Sequence, residues 1–291
     1  MEATDPTRAQ ENVRRYFREV LENRKLPPLP VVVTKVLHMI QDPDLNIRTL
    51  SRILSDDFAL ASRILAASRS AYYGQRILPT TLHAAIQVIG FNSLRKILYT
   101  SSTQKLFGTG GKLAQKLWSH SLGVALTTRM LAQRVRLNDP DQAFLAGLLH
   151  DVGEMILLHG DAAGFEQMGV GNPSDNGEDF SILEKEQEMF GVNHCFIGRT
   201  LLESWNMDQQ TCDAISQHHT STSEDEPRGL RAVLHAADYV VFDAGLGFLA
   251  RPAMPPAHTM AECGCGTPES LAKTAAEIVA AYQAESALLQ V

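Results

Sequence analysis

Apolar residues recur at helical spacing through nearly the whole chain, and this periodicity limits the fold more than any other feature. Between residues 50 and 65, leucine and isoleucine fall three and four positions apart and form one apolar stripe per helix. No sequence stretch of strand length alternates apolar and polar residues between turn residues. The pattern therefore predicts an all-α fold.

The charge balance argues against binding to DNA or to an anionic membrane surface. The net charge is −7, so the chain as a whole is not attracted to phosphate. Residues 1–10 lack the apolar core of a signal peptide, and no uncharged apolar run approaches the ~18 residues that span a bilayer. We expect a cytoplasmic protein with no membrane segment.

Glycine and proline divide the chain into segments with different sequence character. Gly90 is expected to interrupt a helix that begins near residue 81. Three glycines fall within residues 107–111, and a proline- and glycine-rich stretch covers residues 251–268. Residues 160–179 are also glycine-rich and are expected to form either a lid or a surface loop. The predicted segments are an N-terminal helix (1–25), a first helical half (26–110), a second helical half (111–246), and a linker with a C-terminal helix (247–291).

The second helical half carries the residues with metal-binding chemistry. Imidazole and carboxylate groups suit zinc, manganese and iron, and burying such groups without a partner costs several kcal/mol. We therefore predict one or two divalent ions, although separate histidines satisfied in an ordinary helical core remain the alternative. The candidate ligands lie in or beside apolar helical patterns: His120, His150, Asp151, His194, His218, His219 and Asp238.

Two of these ligand pairs are adjacent in sequence, which restricts where they can lie. Neighbouring residues on a helix diverge by about 100°, so His150 and Asp151 must lie at a helix end or serve two ions. The same holds for His218 and His219, and the polar residues 220–226 after them favour a helix end. Gly153, just after this pair, is consistent with a helix end. His235 precedes Asp238 by three residues and shares its face, so it is expected either to orient a ligand or to be a core neighbour.

The order of these residues resembles a known family. His120, the pair 150–151 and Asp238 look like the H…HD…D signature of the HD superfamily of metal-dependent phosphohydrolases. Residues 26–242 resemble its HDOD branch more closely. The motifs that carry this resemblance are LPPLP at 26–30, DFAL at 57–60, SAYYG at 70–74, AFLAGLLHDVG at 143–153, FG at 190–191 and Trp205 before the pair 218–219.

The resemblance implies an all-helical module of bacterial signalling, in which an N-terminal helical subdomain packs on an HD-like bundle. Related HD-GYP phosphodiesterases, which cleave cyclic di-GMP, hold two or three metals with additional histidines. His194, His218 and His219 fit those positions and leave Asp151 to bridge the ions. If the chain is an enzyme, Asp151 is therefore the expected catalytic residue.

Departures from the enzyme pattern favour a regulatory role. Glu154, which like His235 is expected to lie behind a ligand, stands where many relatives carry a lysine. Lys116 stands where some carry a carboxylate, and residues 220–222 replace Gly-Tyr-Pro. We therefore favour a module that binds a protein partner or a nucleotide over a phosphohydrolase or phosphodiesterase acting on a nucleotide or cyclic dinucleotide. An enzyme needs cations beside the metals, and the candidates are Lys112, Lys116, Arg129 and Arg199. The four cysteines show no metal-site spacing.

Overall fold

The computed structural model describes residues 6–22, 26–40, 42, 44–70, 73, 78–107, 111–168, 180–220, 229–248 and 252–289. Every regular element in these ranges is helical, which confirms the all-α prediction. None of the described helices is both long enough and apolar enough to cross a membrane. The α-helices are α1 (Pro6–Glu22), α2 (Val31–Met39), α3 (Ile47–Ser55), α4 (Phe58–Ser68), α5 (Leu82–Phe107), α6 (Gly111–Arg134), α7 (Pro140–Leu149), α8 (Val152–Gly160), α9 (Ala162–Gln167), α10 (Phe180–Phe190), α11 (His194–Ser204), α12 (Gln209–Ser216), α13 (Leu230–Val241), α14 (Ala257–Glu262) and α15 (Pro268–Leu289), with a π-helical turn at Phe242–Leu246.

Short polar side chains fix where several helices begin. Asn46 and Asp57 accept hydrogen bonds from first-turn N–H groups of α3 and α4. Asp139, Asn193 and Asp208 do the same for α7, α11 and α12. Because first-turn N–H groups lack intrahelical acceptors, each such side chain stabilises a helix start at that position. The start of α11 in turn positions His194, which is its first residue.

The chain forms two compact units, one of residues 1–28 and 106–282 and the other of 29–105 and 283–291. In the smaller unit α2, α3 and α4 pack in succession. Its core includes Leu50, Leu54 and Ile64, which are fully buried. The larger unit contains α1, α6 to α14 and most of α15, and so all the candidate ligands. The four-segment division made from composition stays a prediction.

Of two predictions based on glycine positions, one is confirmed and the other is partly wrong. Gly90 interrupts α5 with φ 73° and ψ 173°, as the sequence predicts. The loop predicted over residues 160–179 is wrong in its first part, because 162–167 form α9. Asp161 caps this helix by accepting a hydrogen bond from the Gly164 N–H. Residues 169–179 lie outside the described residues.

Close helix packing in the larger unit depends on two further glycines. A Cβ at Gly147 would lie 2.7 Å from Ala125 Cα, so this glycine lets α7 approach α6. A Cβ at Gly153 would lie 2.0 Å from the carbonyl oxygen of His194, so Gly153 lets α8 approach α11. The helix before the pair 150–151 does end, at Leu149, but Gly153 does not form that end, because it lies inside α8. These two close approaches set the spacing of helices that carry candidate ligands.

Candidate metal centre

The seven predicted ligands come from five places in the larger unit. His120 lies in α6, the pair 150–151 joins α7 to α8, and His194 is the first residue of α11. The pair 218–219 follows the end of α12, and Asp238 lies in α13. Both adjacent pairs therefore lie at helix ends, as the sequence predicts. All seven side chains are buried, with at most 6% of any residue exposed.

Asp151 lies at the centre of the cluster, and its two carboxylate oxygens face different histidines. Oδ2 is 3.4 Å from His120 Nε2 and 3.1 Å from His150 Nε2. Oδ1 is 3.7 Å from His194 Nε2 and 3.4 Å from His218 Nε2. One carboxylate thus contacts two histidine pairs at once, which is the geometry of a bridging ligand.

The remaining two predicted ligands complete one group on each side of Asp151. Asp238 Oδ1 is 3.2 Å from His120 Nε2, and His219 Nε2 is 3.0 Å from His194 Nε2. The first group contains His120, His150 and Asp238, and the second contains His194 and the pair 218–219. An ion bound at about 2.0–2.2 Å holds neighbouring N and O ligands roughly 3.0–3.5 Å apart. These spacings fit one divalent ion in each group.

Backbone carbonyls orient three of the imidazoles. The Nδ1–H group of His120 donates to the carbonyl oxygen of Leu246 at 3.1 Å. In the same way His150 donates to the carbonyl oxygen of Gly147 at 2.8 Å, and His218 to that of Ile215 at 2.6 Å. Because a carbonyl can only accept, Nδ1 carries the proton and the Nε2 lone pair faces the cluster in the neutral ring. Metal-binding histidines are oriented in this way.

His194 is oriented by a buried carboxylate that the sequence reasoning missed. Glu186 of α10 accepts hydrogen bonds from the backbone N–H of His194 at 2.8 Å and from its Nδ1–H at 2.9 Å. Glu154 Oε1 lies 3.1 Å from the same Nδ1. Burial and the neighbouring Glu186 raise the pKa of Glu154 well above its usual range. Burial alone would raise the pKa of Glu186 as well, but the attraction to His194 is stronger, so the pKa of Glu186 is lowered.

Cys195 is a second residue of the cluster that the sequence reasoning missed. Its Sγ lies 3.4 Å from His194 Nε2 and 3.7 Å from His218 Nδ1. Burial would raise the pKa of the thiol, but the two histidines lower it to about 5. The only sequence signal was its position directly after a candidate ligand at a helix start.

The family model for the HDOD domain matches residues 26–221. The chain belongs to the HDOD domain family. A protein of Treponema pallidum (strain Nichols), itself uncharacterised, is 24% identical over 200 residues, which are 67% of this chain and 37% of that protein. The chain therefore spans little more than a third of this curated relative.

Solved structures have the same fold as this HDOD chain. An HDOD domain protein of unknown function from Geobacter sulfurreducens is 25% identical, with a TM-score of 0.66 over 98% of this chain and 96% of that one. A candidate phosphohydrolase from Shewanella amazonensis SB2B is 22% identical, with a TM-score of 0.64 over 90% and 92%. A candidate signal transduction protein from Marinobacter aquaeolei VT8 is 19% identical, with a TM-score of 0.70 over 98% and 66%.

The buried charges of the HDOD cluster balance one another. Burial would raise the pKa of Asp151, but His150, His120 and His218 hold it well below its usual range. His120 likewise outweighs burial and lowers the pKa of Asp238 to about 2. Burial would lower the pKa of His120, but the two aspartates raise it to about 10. The carboxylates therefore require nearby positive charge, which a divalent cation supplies when it displaces the imidazole protons.

Two of the predicted cations and His235 have partners outside the cluster, and the two lysines are exposed. Arg199 pairs with Glu203 and Asp213 at 2.8 and 3.0 Å, and the Arg129 guanidinium lies 5.7 Å from the centre of the Phe144 ring. Lys112 and Lys116 are exposed. His235 Nε2 donates to the carbonyl oxygen of Ala253 at 2.8 Å, and its orienting role stays a prediction. Within the described ranges, the ion pairs of Asp151 and Asp238 are all with histidines.

Proposed function

We propose that this chain is a signal-transduction HDOD module that holds one or two divalent ions in its HD-like half and acts by binding a protein partner or a nucleotide. The metal identity is iron, manganese or zinc, since the cluster offers imidazole and carboxylate donors. The observation that carries the proposal is the bridging position of Asp151 between two groups of buried histidines.

The residues that would hold the ions follow from the two groups. His120, His150 and Asp238 would hold the first ion, His194, His218 and His219 the second, and Asp151 would be shared. A bound divalent ion supplies positive charge to the carboxylates and fixes ligands from several helices in one arrangement. Such an ion stabilises the folded bundle, and with it any partner surface that the bundle carries.

Burial of the site favours a regulatory role over turnover. Catalytic metal sites keep a coordination position open to substrate, whereas structural sites are closed. The most exposed candidate ligand, His219, is only 6% exposed. Glu154, which stands where many relatives carry a lysine, is buried against His194 and so brings no positive charge to a phosphate. Both features support binding rather than hydrolysis.

Elemental analysis of protein purified without a histidine tag tests the metal centre. We expect one to two equivalents of transition metal per chain after supplementation with manganese, iron or zinc. His150→Ala and Asp151→Asn should each lose most of that metal. The control is His38→Ala, which removes an exposed histidine on α2 and should leave the metal content unchanged. Less than a tenth of an equivalent in the wild type would refute the metal centre.

Metal-dependent phosphoester hydrolysis is the second candidate function, because a carboxylate shared by two ion sites is also the arrangement of two-metal hydrolases. Asp151 would then be the catalytic residue. The test is hydrolysis of bis-p-nitrophenyl phosphate by metal-loaded protein, compared with Asp151→Asn. Our proposal expects equal background rates in both proteins. Turnover that depends on metal and disappears in the variant would favour the hydrolase instead.

A further inference from the structure

The thiol of Cys195 lies among the three histidines of the second group. His194 Nε2 is the common neighbour, at 3.4 Å from Cys195 Sγ, 3.5 Å from His218 Nε2 and 3.0 Å from His219 Nε2. All four side chains are buried. Three imidazoles and one sulfur therefore face one another within the core of the larger unit.

The three spacings measured from His194 Nε2 lie close to the ligand–ligand edges of a tetrahedral zinc site. With zinc–nitrogen bonds of about 2.0–2.1 Å and a zinc–sulfur bond of about 2.3 Å, neighbouring ligand atoms lie roughly 3.3–3.6 Å apart. The spacings around His194 Nε2 run from 3.0 to 3.5 Å. Along these three edges, ion binding would need shifts of only a few tenths of an ångström.

The other cysteines, all within the described residues, have different surroundings. Cys212 Sγ lies 3.9 Å from the carbonyl oxygen of Met207. Cys265 Sγ lies 3.6 Å from the carbonyl oxygen of Cys263 and from Thr274 Oγ1. Of the four thiols, Cys195 is the one with recorded contacts to histidine nitrogens. Its position is therefore not the usual environment of a buried cysteine in this chain.

We propose that Cys195 Sγ is a ligand of the second ion, so that three imidazoles and one thiolate select zinc there. Thiolate ligands favour zinc over manganese and magnesium, whereas the first group, with imidazole and carboxylate donors, accepts harder ions as well. The two groups would then differ in metal preference although they share Asp151. This inference rests on the proposed metal centre.

X-ray absorption at the zinc edge tests this assignment on the unaltered chain. Tag-free full-length protein is stripped of metal with a chelator and loaded with zinc, and its extended X-ray absorption fine structure is measured. We expect a sulfur scatterer at about 2.3 Å beside nitrogen and oxygen at about 2.0–2.2 Å. A first shell of nitrogen and oxygen alone, with zinc bound stoichiometrically, would overturn the assignment. In that case the thiol only contacts the His218 ring, and the metal centre itself stands.

Cobalt substitution provides an independent readout with a matched control. Cobalt-loaded wild type should show the near-ultraviolet band of a thiolate-to-cobalt transition, and Cys195→Ser should lose it. Cys212→Ser, which removes another buried thiol, should keep the band. A band that persists in Cys195→Ser would overturn the assignment, and circular dichroism establishes that each variant is folded. Wild type that binds neither cobalt nor zinc would refute the proposed metal centre and this inference together.

Discussion

His194 links the second group to a buried carboxylate through its two ring nitrogens. Its Nε2 faces Cys195, His218 and His219, while its Nδ1–H donates to Glu186. An imidazole that is held at one nitrogen by a carboxylate presents the other nitrogen in a fixed direction, and this orientation strengthens metal binding. Glu186 would therefore be a positioning residue for the proposed second ion.

Substitution of Glu186 tests this positioning role. Glu186→Gln removes the negative charge that holds His194, so we expect zinc affinity to fall by about 10–100-fold. The measurement is competition against a chelator of known affinity. Glu184→Gln, an exposed change on the same helix, is the control and should bind zinc as the wild type does. Equal affinity in the two variants would show that Glu186 does not orient a ligand.

Residue chemistry in the sequence identified part of this cluster. His150 and Asp151 were recognisable because ionisable groups directly follow a long apolar helix. Glu186 was not, since it lies in the polar run 184–188, where a glutamate usually faces solvent. Cys195 was not recognised either, because no second cysteine stands at ligand spacing from it. Both side chains are buried. Sequence periodicity does not predict the burial of a single polar residue.

At the level of helices, close packing of α8 against α11 brings Asp151 and His194 together. The two helices approach at Gly153, where a Cβ would lie 2.0 Å from the carbonyl oxygen of His194. Backbone atoms cannot yield as the end of a flexible side chain can. The separation of the two helices therefore depends on the missing side chain at this position.

Gly153→Ala should separate α8 from α11 and disturb both stability and metal binding. We expect the free energy of unfolding to fall by about 1–3 kcal/mol or more, since this is the usual range for overpacking. Urea denaturation with chelator present measures this loss without any contribution from metal. Gly198→Ala is the control, because its Cβ would lie 3.5 Å or more from its neighbours. The packing account would be wrong if both variants were equally stable.

Helix boundaries followed from the sequence where an apolar helical pattern stops at a glycine or at ionisable residues. The break at Gly90 and the helix ends before the pairs 150–151 and 218–219 were predicted correctly. Helix α9 was not predicted, because its six residues include Gly164 and lie in a glycine-rich stretch. Local composition predicts short helices poorly, since tertiary packing supplies most of their stability.

For the molecule as a whole, the candidate ligands link elements that are distant in sequence. His120 and Asp238 are separated by 118 positions and yet lie 3.2 Å apart, measured from Nε2 to Oδ1. An ion held by both, with Asp151, would cross-link α6, α13 and the junction of α7 and α8. Sequence periodicity predicts these helices one by one, but it does not determine which helix faces pack together. The family resemblance supplied that part of the prediction.

Metal removal should destabilise the whole bundle, because the proposed ion would bind the folded arrangement alone. At a free ion concentration of 100 times its Kd, one site contributes about 2.7 kcal/mol. For a chain of this size we expect chelation to lower the Tm by about 5–10 °C. Differential scanning calorimetry measures the shift, and Asp151→Asn should show almost none. An unchanged Tm in wild type that demonstrably loses its metal would contradict the cross-linking role.

Anomalous X-ray diffraction from crystals of metal-loaded protein, with data on both sides of the metal absorption edge, tests the central claim most directly. The account predicts an anomalous peak within about 2.0–2.3 Å of Asp151 and of histidine Nε2 atoms, with a second peak on the other side of that carboxylate when both groups are filled. A fully occupied peak elsewhere on the chain, with none beside Asp151, would contradict it.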